Sequence, residues 1–508
     1  MKGVKIMEET RKNGMLVDVD EFPKSWGHAW VLAIQHVLAM FVACITVPIL
    51  VFGKYYTEAG DSFSQYLIAP TLVSAGVGTL FYLIVTKFKS PMFLASSFAY
   101  MGPMGAALAI GALQIGENAY TKPNLWLLPI GMAMVGLVYV IVAIVIKFCG
   151  VKWLNKLLPP LVIGPVIMVI GLSLAGSAIN NLCNTAASAA DYNLLHILCG
   201  LVAMVVTALC AHYGKKTISL IPFVIGMGAG YLFALILTLI GYYGCNNAYF
   251  EIVKLQPIVD NFIVTVKDQA TGEVVSQSFR GVQAFIDYPK FIFLFAEESQ
   301  PLSWSGVAQA AMLFIPVSLV TICEHIGDHE NMSGVIQKNL LEEPGLNRTL
   351  IGDGVATAIS GGLCGAANTT YGENVAVVGV SKVASTKVIA MACGIAIALG
   401  FISPLMAIVQ TIPGCICGGV SLVLYGFIAS SGVKILMANK IDMGATKSIF
   451  VASTILVAGI GSLAINFAIG QVAFSISSTA VAMILGILMN IILKDKKEDK
   501  PAAPAEGE

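Results

Sequence analysis

ANTTYGEN, residues 367–374, breaks an apolar run with small polar residues, one aromatic and a glycine, a composition that does not sustain a regular helix. ASSFAYMGP, residues 95–103, does the same in the first half of the chain, with Gly102 and Pro103 as its breakers. Each is preceded by a polar pair inside an apolar helix, Gln35-His36 in the first half and Glu324-His325 in the second. Paired interrupted spans in two halves point to a transporter built from repeats, with its site near the bilayer midplane between them.

The surroundings of the two breaks fit a membrane. Of the 508 residues 57% are hydrophobic and 11% charged, against about 25% charged in soluble domains. Apolar runs long enough to cross a hydrocarbon core of about 30 Å recur along the chain. They lie near 29–52, 65–86, 91–112, 126–147, 158–178, 193–212, 217–243, 304–326, 348–366, 370–384, 387–410, 413–431, 446–467 and 471–493, which makes fourteen. The fold class expected is all-α and polytopic, and seven spans per half make the repeats inverted.

Charge sums to zero, 29 basic against 29 acidic residues, so nothing points to nucleic acid. Its distribution orients the chain. Lys87, Lys89, Lys147, Lys152, Lys156, Lys215, Lys216, Lys434, Lys440, Lys447 and the tail Lys494, Lys496 and Lys497 fall on one side, with only Lys54 and Lys122 in the short opposite loops. The positive-inside rule then puts both termini in the cytosol, with tails at 1–28 and 495–508. The basic start lacks the apolar run and cleavage site of a signal peptide. Residues 244–302 form an external loop in which FIVTVKDQATGEVVSQSF reads as a β-hairpin. The eleven cysteines lack metal-ligand spacing and read as small core residues, and no disulfide between Cys183 and Cys245 is expected.

Irregular backbone at membrane depth must be satisfied by protein or by a water-filled cavity. Each break would continue as a half-helix whose N-terminus presents free N–H groups and the positive end of its dipole. Glu373 falls at the start of the second half-helix, and Glu324 lies deep in its apolar span without a local cation, a costly placement that usually serves function. Asp328 follows Glu324 by one turn on the same face. It either acts on Glu324 as a like charge or opens a solvated GDHEN loop. His325 points away from that face and reads as a structural histidine, Asp353 reads as a helix-end residue, and Lys382 faces the C-terminal end of the half-helix. Phe98 and Tyr371, one on each break, could flank a flat ring whose C=O and N–H groups alternate.

These residues resemble the nucleobase–ascorbate transporter family, in its bacterial uracil permease branch. The likeness rests on QHVLAMFVACITVPIL, ASSFAY, EHIGDHENMSGVI, EEPGLNRTLIGDGVATAISG and NTTYGENVAVVGVSKVAS, and extends over nearly the whole membrane portion. It implies fourteen spans in two inverted seven-span repeats, with short strands preceding the half-helices of spans 3 and 10. It also implies a core domain at 29–150 and 303–411 and a gate domain at 151–243 and 412–494. Elevator-like movement, proton symport and a homodimer in the cell membrane belong to the same implication. By motif, Glu324 and Glu373 would bind the ring, Phe98, Tyr371 and Gly372 would contact it, Ala43 would line the pocket, and Tyr425 would face it from the gate. Glu324 and Asp328 would serve proton coupling, and no metal or cofactor is implied.

Glu373 in YGEN matches the uracil branch, whereas purine-transporting relatives commonly carry Gln there. Three departures stand out: Asp328 where many uracil permeases have His, Ala376 for Gly, and Ser381-Lys382 for Thr-Arg. The expected function is therefore uracil import by proton symport. The alternatives are a purine (xanthine or urate) permease of the same family and, further off, an anion exchanger or channel of the same architecture. EHIGDH lacks zinc-hydrolase spacing and no nucleophile–base constellation is present, so an enzyme is not expected.

Overall fold

Residues 14–58, 60, 62–116, 119–185, 188–215, 218–267, 274–290, 297, 299–470 and 472–493 are described by the structure, a computed structural model. The expected tail at 495–508 and residues 1–13 of the N-terminal tail lie outside them.

The first half runs α1 (Trp26–Phe52), β1 (Tyr55–Tyr56), α2 (Ser64–Val85), β2 (Leu94–Ser96), α3 (Met101–Ala109), β3 (Leu113–Gly116), β4 (Ala119–Thr121) and α4 (Leu127–Cys149). It continues with α5 (Lys152–Leu157), α6 (Pro160–Ser173), α7 (Ala175–Cys183), β5 (Asn184–Thr185), β6 (Ser188–Tyr192), α8 (Leu194–Tyr213) and α9 (Pro222–Leu237). A connecting segment holds α10 (Gln256–Phe262) and the antiparallel strands β7 (Ile263–Lys267) and β8 (Val274–Phe279), paired from Ile263 with Phe279 to Lys267 with Val274. The second half comprises α11 (Trp304–Ile336), α12 (Leu346–Gly362), β9 (Asn368–Thr370), α13 (Gly372–Ser381), α14 (Thr386–Leu399), α15 (Ser403–Gln410) and α16 (Gly414–Ala438). It ends with α17 (Thr446–Ile460), β10 (Ile465–Ile469), β11 (Val472–Ile476) and α18 (Ser478–Ile492).

The chain is mostly helical, and a helix overlaps each of the apolar runs named above. Among the described residues eight helices are long and apolar enough to cross a membrane. Serines set several starts by accepting a backbone N–H: Ser25 for α1, Ser303 for α11 and Ser477 for α18. Large apolar side chains also face outward, such as Leu137 and Ile141 on α4, 60% and 50% exposed. In water that face would be a liability; in lipid it needs no cover.

The interior is closed by near contact between helices. A Cβ on Gly354 of α12 would lie 2.3 Å from Cβ of Tyr139 on α4, and one on Gly432 of α16 would lie 2.3 Å from the Gly164 carbonyl oxygen on α6. All eleven cysteines are free, Cys183 and Cys245 included.

Two expectations need correction. The eighth span does not end near 326: α11 continues to Ile336 with Asp328 buried within it, which excludes the solvated-loop alternative of its two readings. Gly327 explains the continuation, because a Cβ there would press on Ile435 at 2.6 Å and Ile167 at 2.8 Å, so this part of α11 is packed, not solvated. Asp353 is not a helix-end residue but sits inside α12, 1% exposed.

Candidate functional site

The two breaks meet. β2 and β9 pair antiparallel, Leu94 opposite Thr370 and Ser96 opposite Asn368, and the Ser97 N–H donates to the Ala367 carbonyl at 2.7 Å. Threonines of the neighbouring helices satisfy the outer edges of this ribbon. Thr79 on α2 accepts from the Leu94 N–H at 2.9 Å, and Thr357 on α12 donates to the Asn368 carbonyl at 2.7 Å. Asn368 donates through its own side chain to the Ser74 carbonyl at 3.0 Å. Irregular backbone is thereby paired within protein, as membrane depth demands.

From the ribbon the half-helices α3 and α13 depart. Tyr371 occupies the N-cap of α13 in extended conformation; its side chain gives no cap, while its carbonyl accepts from the Asn374 N–H at 3.1 Å. Glu373 stands in that first turn, where the helix dipole favours a negative charge. Asn374 turns the other way and ties α13 to α1, donating to His36 Nδ1 at 3.0 Å and to the His36 carbonyl at 3.2 Å.

A small cavity, open on one side, lies beside the ribbon. It is lined by Ser96, Ser97, Phe98, Glu324, Asp328, Thr369, Thr370, Tyr371, Gly372 and Glu373, together with Ile167 of α6 and Phe427, Ile428 and Ser431 of α16. The structure thus brings Phe98, Glu324, Asp328, Tyr371, Gly372 and Glu373 together. Ala43 and Tyr425 are not in the lining. Ala43 is wholly buried in α1, and Tyr425 acts one layer out, its ring edge-on to Phe98 with centroids 5.3 Å apart.

Three carboxylates share this small space. Asp328 accepts from the Thr370 hydroxyl at 2.8 Å, which fixes its direction. Glu324 Oε2 and Glu373 Oε1 are shielded from solvent and without a hydrogen-bond partner among the described residues, as are the Ser97 and Thr369 hydroxyls. Unpaired buried polar atoms are costly, and their convergence on one cavity offers acceptors and donors to a polar ligand. Between flanking aromatics, a flat ring with N–H edges suits them.

A second polar system runs behind the site. His325 bonds Asp353 at 2.7 Å and Thr349 at 3.0 Å, while His329 bonds the His325 carbonyl at 2.7 Å and the Tyr82 hydroxyl at 2.7 Å. His325 is thus a buried, hydrogen-bonded histidine. The Asp353 partnership, together with the roles of Ser97, Thr369 and Thr370, was not legible as a contact in the sequence. Among the described residues no cluster of His, Cys, Asp or Glu could hold a metal ion.

The chain's relatives agree with this architecture. A family model described as "Permease family" matches residues 27–468. A uracil permease of Bacillus caldolyticus is 36% identical over 486 residues, 96% of each chain. A uracil permease of Bacillus subtilis (strain 168) is 36% identical over 475 residues, 93% of this chain and 94% of that one, and one of Escherichia coli (strain K12) is 30% identical over 464, 91% and 90%. Among solved structures, the transmembrane domain of the cyanobacterium bicarbonate transporter BicA superposes with a TM-score of 0.53 at 10% identity, covering 93% of this chain and 98% of that one. The murine anion transporter Slc26a9, inward-facing, gives 0.55 at 10% identity, covering 93% and 69%. At such identity the likeness is one of fold alone. The chain belongs to the permease family of nucleobase–ascorbate transporters and is a multi-pass membrane transporter, not an enzyme.

Proposed function

We propose that the protein imports uracil by proton symport. The observation that carries this reading is the cavity at the crossed breaks, where the unpartnered oxygens of Glu324 and Glu373 face a space flanked by Phe98 and Tyr371. Uracil is a flat ring with two N–H groups between carbonyls, so carboxylates accept from its N–H edge while first-turn N–H groups of α13 donate to a carbonyl. That the named relatives are uracil permeases supports the choice.

In this reading the chain has fourteen spans in two inverted repeats, its termini lie in the cytosol, and it works as a homodimer in the cell membrane. Residues 29–150 and 303–411 form a core that carries the ribbon, the half-helices and the acids, and 151–243 and 412–494 form a gate. The cavity's lining supports this, since its acids and ribbon residues come from the first set and Ile167, Phe427, Ile428 and Ser431 from the second. The core moves against the gate like an elevator. Glu373 holds the ring, and Glu324, with Asp328 one turn away, exchanges the proton, so that loading and protonation are linked.

Asp328 favours one second reading, a purine such as xanthine or urate as substrate, because this acid lines the same cavity. Transport of small inorganic anions is the more distant reading, since three carboxylates and no Lys or Arg line the cavity among the described residues. Uptake in a strain lacking nucleobase transport decides. Labelled uracil should be taken up and not displaced by xanthine, whereas uptake of labelled xanthine without uptake of uracil would replace uracil by a purine.

A further inference from the structure

α13 has ten residues, fewer than the roughly 12–15 an isolated helix needs to persist, so the direction of Glu373 depends on how both ends of α13 are held. The N-terminal end is held by the ribbon. The other end is held by residues that precede α1. Lys382, in left-handed conformation at φ 59°, turns its carbonyl to the N–H groups of Leu16 at 2.8 Å and Val17 at 3.3 Å. The Ala384 N–H donates to the Val17 carbonyl at 3.0 Å and the Thr386 N–H to the Val19 carbonyl at 3.0 Å. Thr386 adds its hydroxyl at 2.9 Å, and Ser385 donates to the Glu21 carbonyl at 2.5 Å. Met15, Val17 and Val19 are buried, and Lys338, just beyond α11, pairs with Asp18 at 2.7 Å.

The other half-helix has a matching arrangement at the opposite end of α1. β1, which follows α1, pairs in parallel with β4, which follows α3, and the Tyr55 hydroxyl donates to the Gly105 carbonyl inside α3 at 3.0 Å. Each flank of α1 thus grips the exit of one half-helix, while Asn374 bonds its middle. A helix of ten residues is a rigid rod about 15 Å long, so a tilt at Ser381 reappears at Glu373.

We propose that residues 15–21 form a strap that sets the orientation of Glu373 from outside the cavity, with Asp18 and Lys338 as positioning residues. The strap makes the grip of α11 and α13 on the substrate one mechanical unit. The proposal rests on the preceding reading only in taking uracil as the probe.

Charge reversal tests it in the full-length protein. Asp18→Lys and Lys338→Asp each place like charges together; each should raise the KM for uracil about 3- to 5-fold and speed amide hydrogen exchange in 372–381 of purified protein. The double reversal restores the pair and should bring both readouts back toward wild type. Unchanged exchange in 372–381 with unchanged KM in both single variants would overturn the strap, as would a double reversal no better than either single one. If wild type takes up no uracil, the substrate reading fails and the exchange measurement still decides on the strap.

Discussion

Replacing Glu373 by Gln keeps the size of the side chain and removes its charge, which isolates what the carboxylate contributes to the site. Glu373 Oε1 has no hydrogen-bond partner among the described residues, so a ring N–H is the donor that would complete it. A hydrogen bond to a charged acceptor contributes about 1.5–3 kcal/mol, and the amide also presents an N–H₂ where the ring needs an acceptor. Uracil affinity should fall about 10- to 150-fold. The loss of the interaction with the α13 dipole is smaller, about 0.3–1 kcal/mol, so folding should survive. Radiolabelled uracil binding to purified protein, beside a thermal-stability scan, separates the two effects. Uracil affinity within about 3-fold of wild type, in a folded variant, would refute the proposed contact.

Glu324→Gln should abolish accumulation of uracil against a gradient while the protein still inserts, and undiminished concentrative uptake would remove Glu324 from the proton path. His325→Leu strips the buried Asp353 of its hydrogen-bond partner at Oδ2, and leaving a buried polar group unsatisfied costs about 1–3 kcal/mol, so Tm in detergent should fall; an unchanged Tm would show the network adds no stability. Lys89, beyond the end of α2, holds the exposed Glu343 carboxyl below the usual carboxylate range. A depressed folded pKa gives stability that is present above the unfolded value of about 4.3 and is lost as pH falls through the lower folded one. Glu343→Gln should therefore leave the pH dependence of Tm between about pH 5 and 8 unchanged, and a change in that window would contradict the assignment.

Much of the site was legible because its residues violate local rules. Glu324 in an apolar run, and ANTTYGEN and ASSFAY where helix should continue, stand out against their background. Asp328 followed from the helical period, since one turn separates it from Glu324. The roles that stayed hidden belong to residues that look ordinary in sequence. Ser97 and Thr369 are small polar residues in a polar stretch, and only the pairing of β2 with β9 turns them to the cavity. Phe427, Ile428 and Ser431 lie on an apolar helix with no distinguishing pattern, so no rule selects the face that meets the acids.

Asp353 misled for a definite reason. The glycines of GDG suggest a helix end, yet Gly352 and Gly354 serve close approach: a Cβ on Gly352 would lie 2.7 Å from the Tyr82 ring and one on Gly354 2.3 Å from Tyr139. They let α2 and α4 reach α12, which buries Asp353 beside His325. The extent of α11 was hidden in the same way, because Gly327 is a contact residue between α11 and the helices α6 and α16.

Proton-driven uracil accumulation by intact cells tests the central claim most directly. Radiolabelled uracil should concentrate inside cells expressing the protein in a transport-deficient strain, and a protonophore should collapse the gradient while leaving saturable exchange across the membrane. Accumulation indifferent to the protonophore, or no saturable uracil uptake, would contradict the account.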